Sequence, residues 1–301
     1  MCRGDEDSTT SGATATQSFE IVGNDIRTKI LQALGDARGL REGPPVLTFS
    51  ELRDIVPVDI PSSQFNYHLQ QLVGRFITHT GDGYQMRPAG MLLYRTIRAG
   101  TITEELSIEP FGIGVDCYRC GDPIEADPSF GEIWIQCPTC DEFYDMVMAP
   151  PGGIGSSDTA ELLRRLDQYN RHRHIGFMRG ICPICMNAVE QDIVTLNEEP
   201  YDRSQCRNWH IHWSCHHCGN RRFASLGMAL IDSPEVISLF DEATIAPTDR
   251  TVWEFEWAMT DRPVKVIEED PFQFSINLNI DDIEANLLID HELNVSSSSI
   301  A

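Results

Sequence analysis

Lysine is almost absent from this 301-residue chain: Lys29 and Lys265 stand beside 21 arginines. Positive charge as a whole is scarce, with 23 basic against 46 acidic residues and a net charge of -23. So acidic and lysine-poor a surface suits work in molar salt, where solvated carboxylates hold water and their mutual repulsion is screened. Long apolar runs are also missing. No stretch approaches the ~20 residues that span a bilayer, and the opening MCRGDEDSTTSGATAT has no apolar signal-peptide core. A soluble, intracellular protein of cytoplasmic location is therefore expected. Neither a Gly-rich phosphate loop nor a locally supported Ser/His/Asp grouping is present, so the chain is not expected to be an enzyme.

The shortage of positive charge is uneven. Residues 15–100 carry nine basic and eight acidic groups (+1) and residues 160–225 nine and seven (+2). By contrast, residues 101–159 carry one and twelve (-11) and residues 226–301 three and sixteen (-13). Two near-neutral islands in an acidic chain are candidate DNA-facing or partner-facing parts.

Cysteine is the residue present in quantity. Eight of the ten fall into four C-x-x-C pairs, which in an intracellular chain favours metal over disulfide. Cys117 and Cys120 precede Cys137 and Cys140 by sixteen intervening residues, and Cys182 and Cys185 precede Cys215 and Cys218 by twenty-nine. Each C-x-x-C turn offers two thiolates, and two turns complete the tetrahedron that zinc prefers, so two structural zinc ions are expected. These sets lack the open position and general base of a catalytic site. EIWIQ, DIVTL and WHIHWSC have strand-like alternation, as zinc-ribbon-like modules require. His210, His212, His216 and His217 crowd the second set and are alternative ligands; a metal shared between the two sets is disfavoured by the long helix separating them. Cys2 and Cys206 are left over.

Along the chain, residues 1–16 read as a disordered arm and order begins near Gln17. Apolar periodicity predicts a helix from Asn24 or Asp25, a second over TFSELRDIV with Thr48 and Glu51 as a capping box, and a third within Pro61 to Ile77, PSSQFNYHLQQLVGRFI. In the third, Phe65, Leu69, Leu72, Val73 and Phe76 share a side, His68 lies at its edge, Ser62 is a candidate N-cap and Gly74 a candidate stop. A hairpin tipped by Gly81 to Gly83 and a helix over PAGMLLYRTIRAG follow. Helix, helix, turn, helix, hairpin, helix is the order of a winged helix-turn-helix domain over residues 17–100. The later segments read as a first zinc-ribbon-like module over 110–150, a linker APPGGIGSSD with a boundary near 155, and a helix with a second module over 156–225. A short helix and β-rich segment fill 226–295, including WEFEW, FQFSINLNI and NLLIDHELNV as strands, and SSSSIA reads as a frayed end. The fold class is thus α+β and multidomain. In the helix before the second module, Leu162, Leu163, Leu166 and Tyr169 form an apolar stripe, while Arg164, Arg165, Arg171, His172, Arg173 and His174 form a basic run; a solvated face balancing the acidic neighbours is the preferred reading of it, and a second nucleic-acid contact the alternative.

GNDIRTKILQAL, SSQFNYHLQQL and GDGYQMRPAG together resemble winged-helix proteins of the ArsR-like class, and the whole chain resembles haloarchaeal regulators with such a domain ahead of cysteine-rich segments. That resemblance implies DNA binding through the third helix and the wing, and a homodimer. It would turn Ser62, Ser63, Gln64, Asn66, Tyr67 and Gln70 toward the major groove and put Arg75, His79 and Arg87 near the backbone or minor groove. Metal sensors of the class carry cysteines in the second helix, but TFSELRDIV has none, so metal sensing of that kind is not implied. The expected function is a sequence-specific transcriptional regulator binding double-stranded DNA, with zinc modules for a protein partner or signal. The competing reading is a zinc-stabilised scaffold whose winged helix contacts proteins.

Overall fold

A computed structural model describes residues 14–38, 45–129, 131–155, 158–196 and 204–300, with side chains to residue 296. Within it the chain divides into two compact units, Met1–Glu104 and Glu105–Ala301. Most of the arm expected over 1–16 lies outside the described residues. Its end does not belong to an arm, because Thr14 caps a helix with Gln17 and α1 runs Ala15–Val22.

In the first unit α2 (Asp25–Asp36) starts where the Asn24 side chain accepts the Arg27 backbone N–H. After β1 (Val46–Leu47), α3 (Phe49–Ile55) is opened by the Thr48–Glu51 capping box. Next come α4 (Ser62–Leu72), β2 (Ile77–Thr80), β3 (Gly83–Met86) and α5 (Pro88–Arg98). The strands form one antiparallel sheet in the order β1-β3-β2, with Val46 opposite Gln85 and Ile77 opposite Met86. Gly83 is demanded by this arrangement: a Cβ there would lie 2.4 Å from the Leu47 carbonyl oxygen. Ile30, Leu31 and Leu34 of α2, Leu52 of α3 and Phe65, Leu69 and Leu72 of α4 make the core, and Phe49 meets Phe65 edge-on at 5.6 Å.

Two features of the third helix differ from expectation. Ser62 does not cap it; Pro61 occupies that position without a side-chain bond. The helix stops at Leu72, Val73 bridges to Ile77, and Gly74 takes a positive φ of 90°. Phe76 is therefore buried from the turn beyond the helix, not from its apolar side.

The second unit opens with β4 (Phe111–Asp116), β5 (Pro123–Ser129), β6 (Glu132–Gln136) and β7 (Phe143–Val147), an antiparallel sheet in chain order. α6 (Thr159–Met178) is capped by Asp158. β8 (Glu190–Thr195), β9 (Trp209–Ser214) and β10 (Arg221–Ala224) form a sheet in the order β10-β9-β8. Helices α7 (Leu226–Leu230), α8 (Pro234–Glu242) and α9 (Glu256–Met259) lead into β11 (Val264–Glu269), β12 (Phe272–Ile280), β13 (Ile283–Asp290) and β14 (Val295–Ile300), again antiparallel in chain order.

The modules drawn over 110–150, 156–225 and 226–295 are not separate bodies. Ile133 and Ile135, Leu162 and Leu166, Trp213, Trp253 and Phe274 belong to one hydrophobic core. Ile154, inside the segment expected to be a linker, is buried in that core, which is why Gly and Pro there make a turn and not a boundary. WEFEW is not a strand. The Thr251–Glu254 capping box winds Val252–Glu254 into a 3-10 turn, α9 follows, and Trp253, Phe255 and Trp257 are all buried. Nor is the end frayed, since the backbone of residues 297–300 pairs with β13. Among the described residues no helix is long and apolar enough to cross a membrane.

Packing around α7 leaves no room for a side chain at Gly227, where a Cβ would sit 1.8 Å from the Trp257 carbonyl oxygen. Gly227→Ala is expected to lower the stability of the second unit by ~1–3 kcal/mol or more, the cost of overpacking a core. Gly153→Ala, whose Cβ meets nothing within 4 Å, should stay within ~0.5 kcal/mol of the parent. Thermal unfolding at fixed KCl compares them.

Candidate metal centres and nucleic-acid face

Four C-x-x-C turns repeat one backbone design. The first cysteine donates its N–H to the carbonyl five residues on, with Cys117 to Asp122 at 2.7 Å, Cys137 to Glu142 at 2.9 Å, Cys182 to Asn187 at 2.9 Å and Cys215 to Asn220 at 2.9 Å. The residue four positions on, Gly121, Asp141, Met186 or Gly219, is left-handed and returns its N–H to the first cysteine's carbonyl. Each turn thus folds back tightly enough to bring both sulfurs to one side.

The turns meet in pairs. Cys117, Cys120, Cys137 and Cys140 form one quartet and Cys182, Cys185, Cys215 and Cys218 another, with all four Sγ atoms in each within 4.8 Å of one another. The closest separations are 3.5 Å for Cys120–Cys137 and Cys185–Cys215, and 3.6 Å for Cys117–Cys140 and Cys182–Cys218. A zinc ion with sulfurs at ~2.3 Å in a tetrahedron places them about 3.8 Å apart, so the donor sets fit a metal ion of that kind. No described cysteine is in a disulfide. Each quartet closes within its own set, which removes the sharing of a metal between sets.

Donors surround the sulfurs as an outer shell should. The Arg119 backbone N–H points to Cys117 Sγ at 3.4 Å and the Tyr144 hydroxyl lies 3.1 Å from it; the Asn187 and Asn220 side-chain amides reach Cys185 and Cys182 at 3.5 and 3.6 Å. Burial pushes the Cys117 and Cys182 thiols up. Hydrogen bonds outweigh it, from Tyr144 and backbone N–H groups at Cys117 and from backbone N–H groups and Asn220 at Cys182, and bring both to about 6. In the second quartet the Asn187 backbone N–H also lowers Cys185, so each quartet holds at least one thiol inclined to ionise, the form that binds metal.

Histidines near the second set take no part in the quartet. His210 is buried and stacked on Phe223, His216 bonds Glu190 at 2.7 Å, His217 is exposed and His212 is half-buried. The basic run of α6 is divided between surface and interior. Arg164 pairs with Glu161, whereas Arg171 is buried on Asp232 at 2.9 Å and the Pro247 carbonyl at 2.7 Å, and His174 is buried edge-on to Trp213. Arg171 and His174 are therefore withdrawn from any nucleic acid. Tyr169, placed in the apolar stripe, is 38% exposed.

On α4, Ser62, Ser63, Gln64, Asn66, Tyr67 and Gln70 are all exposed, and His68 is buried with the core. Their side chains differ in what they already hold. The Ser62 hydroxyl is bonded by Arg53, and the Gln70 amide donates to the Tyr84 hydroxyl at 3.2 Å. Ser63, Gln64 and Asn66 have no side-chain hydrogen bond among the described residues. Beside the helix, Arg87 donates to the Gly74 carbonyl, His79 stacks on Tyr84 at 4.4 Å and Arg75 is half-buried with a partner of its own. Sequence periodicity identifies the outward face; it has no means of showing that Arg53 and Tyr84 engage two of its members.

No curated protein and no solved structure matches this chain. Two family models do, both described as domains of unknown function: DUF7347 over residues 15–97 and DUF7351 over residues 114–295.

Elemental analysis of protein prepared without chelator is expected to give about two zinc ions per chain, one for each four-thiolate set, and about one in Cys137→Ser; one or none in the parent would sink the two-centre reading. A second expectation concerns acid. Burial, then Arg207 and His212, hold His210 at about 3 against its ordinary 6.5, and neither ring nitrogen has a partner. Above pH 6.5 the ring is neutral folded or unfolded. As pH falls from 6.5 toward 3, the unfolded chain takes up a proton that the folded one refuses, so stability drops by about 1.4 kcal/mol per pH unit. His210→Phe should remove that share of the slope, measured by denaturant unfolding across this range.

Proposed function

This chain belongs to the DUF7351 family, and as that description states no function, we propose from its residues that it is a sequence-specific DNA-binding transcriptional regulator. The observation that carries the reading is the row Ser63, Gln64, Asn66 and Tyr67 on α4, exposed and, for the three polar side chains, free of internal bonds. Tyr67 is 59% exposed and adds an amphipathic ring to that row. Side-chain amides can bond adenine edges in two places at once, and hydroxyls serve bases or phosphates.

The surrounding elements support a winged helix-turn-helix of the ArsR-like kind. In such a domain α3 and α4 are the two helices of the motif, the β2–β3 hairpin is the wing, and β1 completes its sheet. Phe65, Leu69 and Leu72 fix α4 to the core and so hold the opposite face outward. Ser62, Gln70 and Arg87 then act by positioning, as their polar groups are spent on Arg53, Tyr84 and Gly74. Recognition through amides also suits a protein adapted to salt, because release of counterions contributes little to affinity in molar KCl.

In this reading the two quartets hold structural zinc in ribbon-like knuckles and the protein works as a homodimer in the cytoplasm. Exposed Phe19 on α1 and Leu92 on α5 supply apolar surface for such an assembly. Occupancy mapping and gel shifts in multimolar KCl test it. Sequence-dependent sites are expected, and Gln64→Ala or Asn66→Ala should each weaken binding about 5- to 150-fold, the 1–3 kcal/mol of a bidentate base contact. No such sites, or sites indifferent to both changes, would leave the zinc-stabilised protein scaffold as the better account.

A further inference from the structure

A cavity of about 40 Å³ lies in the second unit between α6, β7 and β10, and none of the quartet cysteines lines it. Its charged lining is Arg173, Arg221 and Arg222 against one carboxylate, Asp145. That is the reverse of the chain as a whole, in which acids outnumber bases two to one.

Asp145 is already committed. It accepts from the Asn170 amide at 2.7 Å, the Trp253 indole at 3.1 Å, its neighbour's backbone N–H at 2.8 Å and Arg222 at 3.3 Å. Arg222 also donates to the Asn170 side-chain oxygen at 2.8 Å and the Met146 backbone carbonyl at 3.1 Å, yet its Nε is buried with no acceptor among the described residues. Arg173 lies 5.8 Å above the Tyr169 ring and, among the described residues, bonds only the Met148 carbonyl, at 3.3 Å. Neither Arg173 nor Arg221 pairs with a carboxylate among the described residues. Arg173 is close enough to disfavour the charge on Arg222, adding to the cost of its burial. Like charges held together beside a low-dielectric wall are compensated when an anion binds.

We propose that this cavity is a binding site for a small organic carboxylate. Its volume equals about three water-sized spheres at 10–15 Å³ each, enough for a carboxyl group and one or two carbons, as in acetate or propionate. The guanidinium fork matches two carboxylate oxygens and does not match a spherical chloride in the same way. Tyr169 and Phe223 offer the short tail an apolar wall. The occupant would sit where β7, which follows the first quartet, and β10, which follows the second, meet α6, and so would tie both cysteine-bearing segments to one helix.

The site does not depend on DNA binding by the first unit. Isothermal titration of the full metal-loaded chain with potassium acetate and potassium propionate, at fixed multimolar KCl, tests it. A saturable heat is expected in the parent, with the dissociation constant raised about tenfold or more in Arg173→Gln and in Arg221→Gln, as loss of a charge-assisted hydrogen bond implies. Unchanged circular dichroism and metal content qualify each variant, and either variant suffices if the other misfolds. No saturable heat in the parent, the result if chloride is the sole occupant, overturns the proposal. So does an unchanged dissociation constant in a qualified variant.

Discussion

Thiolate clustering is the constraint on which the second unit depends. Two sets of four sulfurs, with closest separations of 3.5–3.6 Å, sit at the turns of antiparallel strands, and each turn is wound by the same pair of backbone hydrogen bonds. Four ionised sulfurs at such separations repel strongly unless a cation lies between them. Zinc held in a structural site of this type contributes ~10–16 kcal/mol in small peptides, comparable to the ~5–15 kcal/mol of net stability of a whole domain. In a chain with a net charge of -23, which resists compaction outside high salt, a multivalent cation at each quartet would offset repulsion at the points where strands must turn.

The core between the quartets explains why the unit does not separate into ribbons. α6 supplies Leu162, Leu163, Leu166 and Phe177 to the same cluster that receives Ile133 and Ile135 from the first sheet and Trp213 from the second. The polar residues of α6 extend the union. Asn170 joins Asp145 to Arg222, and Arg171 reaches Asp232 and Pro247. Buried ionic groups of this kind need their partners in place, and two atoms of this network have none among the described residues, Arg222 Nε and Asp232 Oδ2. The first unit follows simpler rules, with capping residues starting α1, α2 and α3 and apolar periodicity directing α2, α3 and α4 to one core.

Local signals were legible wherever the chain makes its own structure. Asn24, Thr48 with Glu51, and the Gly81–Gly83 tip announce their helices and hairpin, and FQFSINLNI alternates as a strand buried on one face must. C-x-x-C spacing disclosed the eight sulfurs, because each turn brings two thiols to one side; that the turns meet as Cys117 and Cys120 with Cys137 and Cys140, and as Cys182 and Cys185 with Cys215 and Cys218, was left open by the sequence and is decided by the fold. WEFEW misled because its alternation satisfies a strand as well as a capped turn with three buried aromatics, and only Thr251 with Glu254 decides between them. The α6 arginines misled for a related reason: a basic run looks the same whether its partners are water, nucleic acid or a carboxylate 61 residues away, as Asp232 is from Arg171.

By itself the sequence determined the eight paired cysteines, the outward row on α4, the capped helices and the acidic, lysine-poor composition, all consequences of residue type at short spacing. Tertiary structure decided what long-range contacts alone can set. It merged three expected modules into one core, engaged Ser62 with Arg53 and Gln70 with Tyr84, buried Arg171 and His174, and gathered Arg173, Arg221 and Arg222 around one committed aspartate. The reason is physical: charge and periodicity show which side chains can face water or a core, while pairing between distant elements depends on how their surfaces close together.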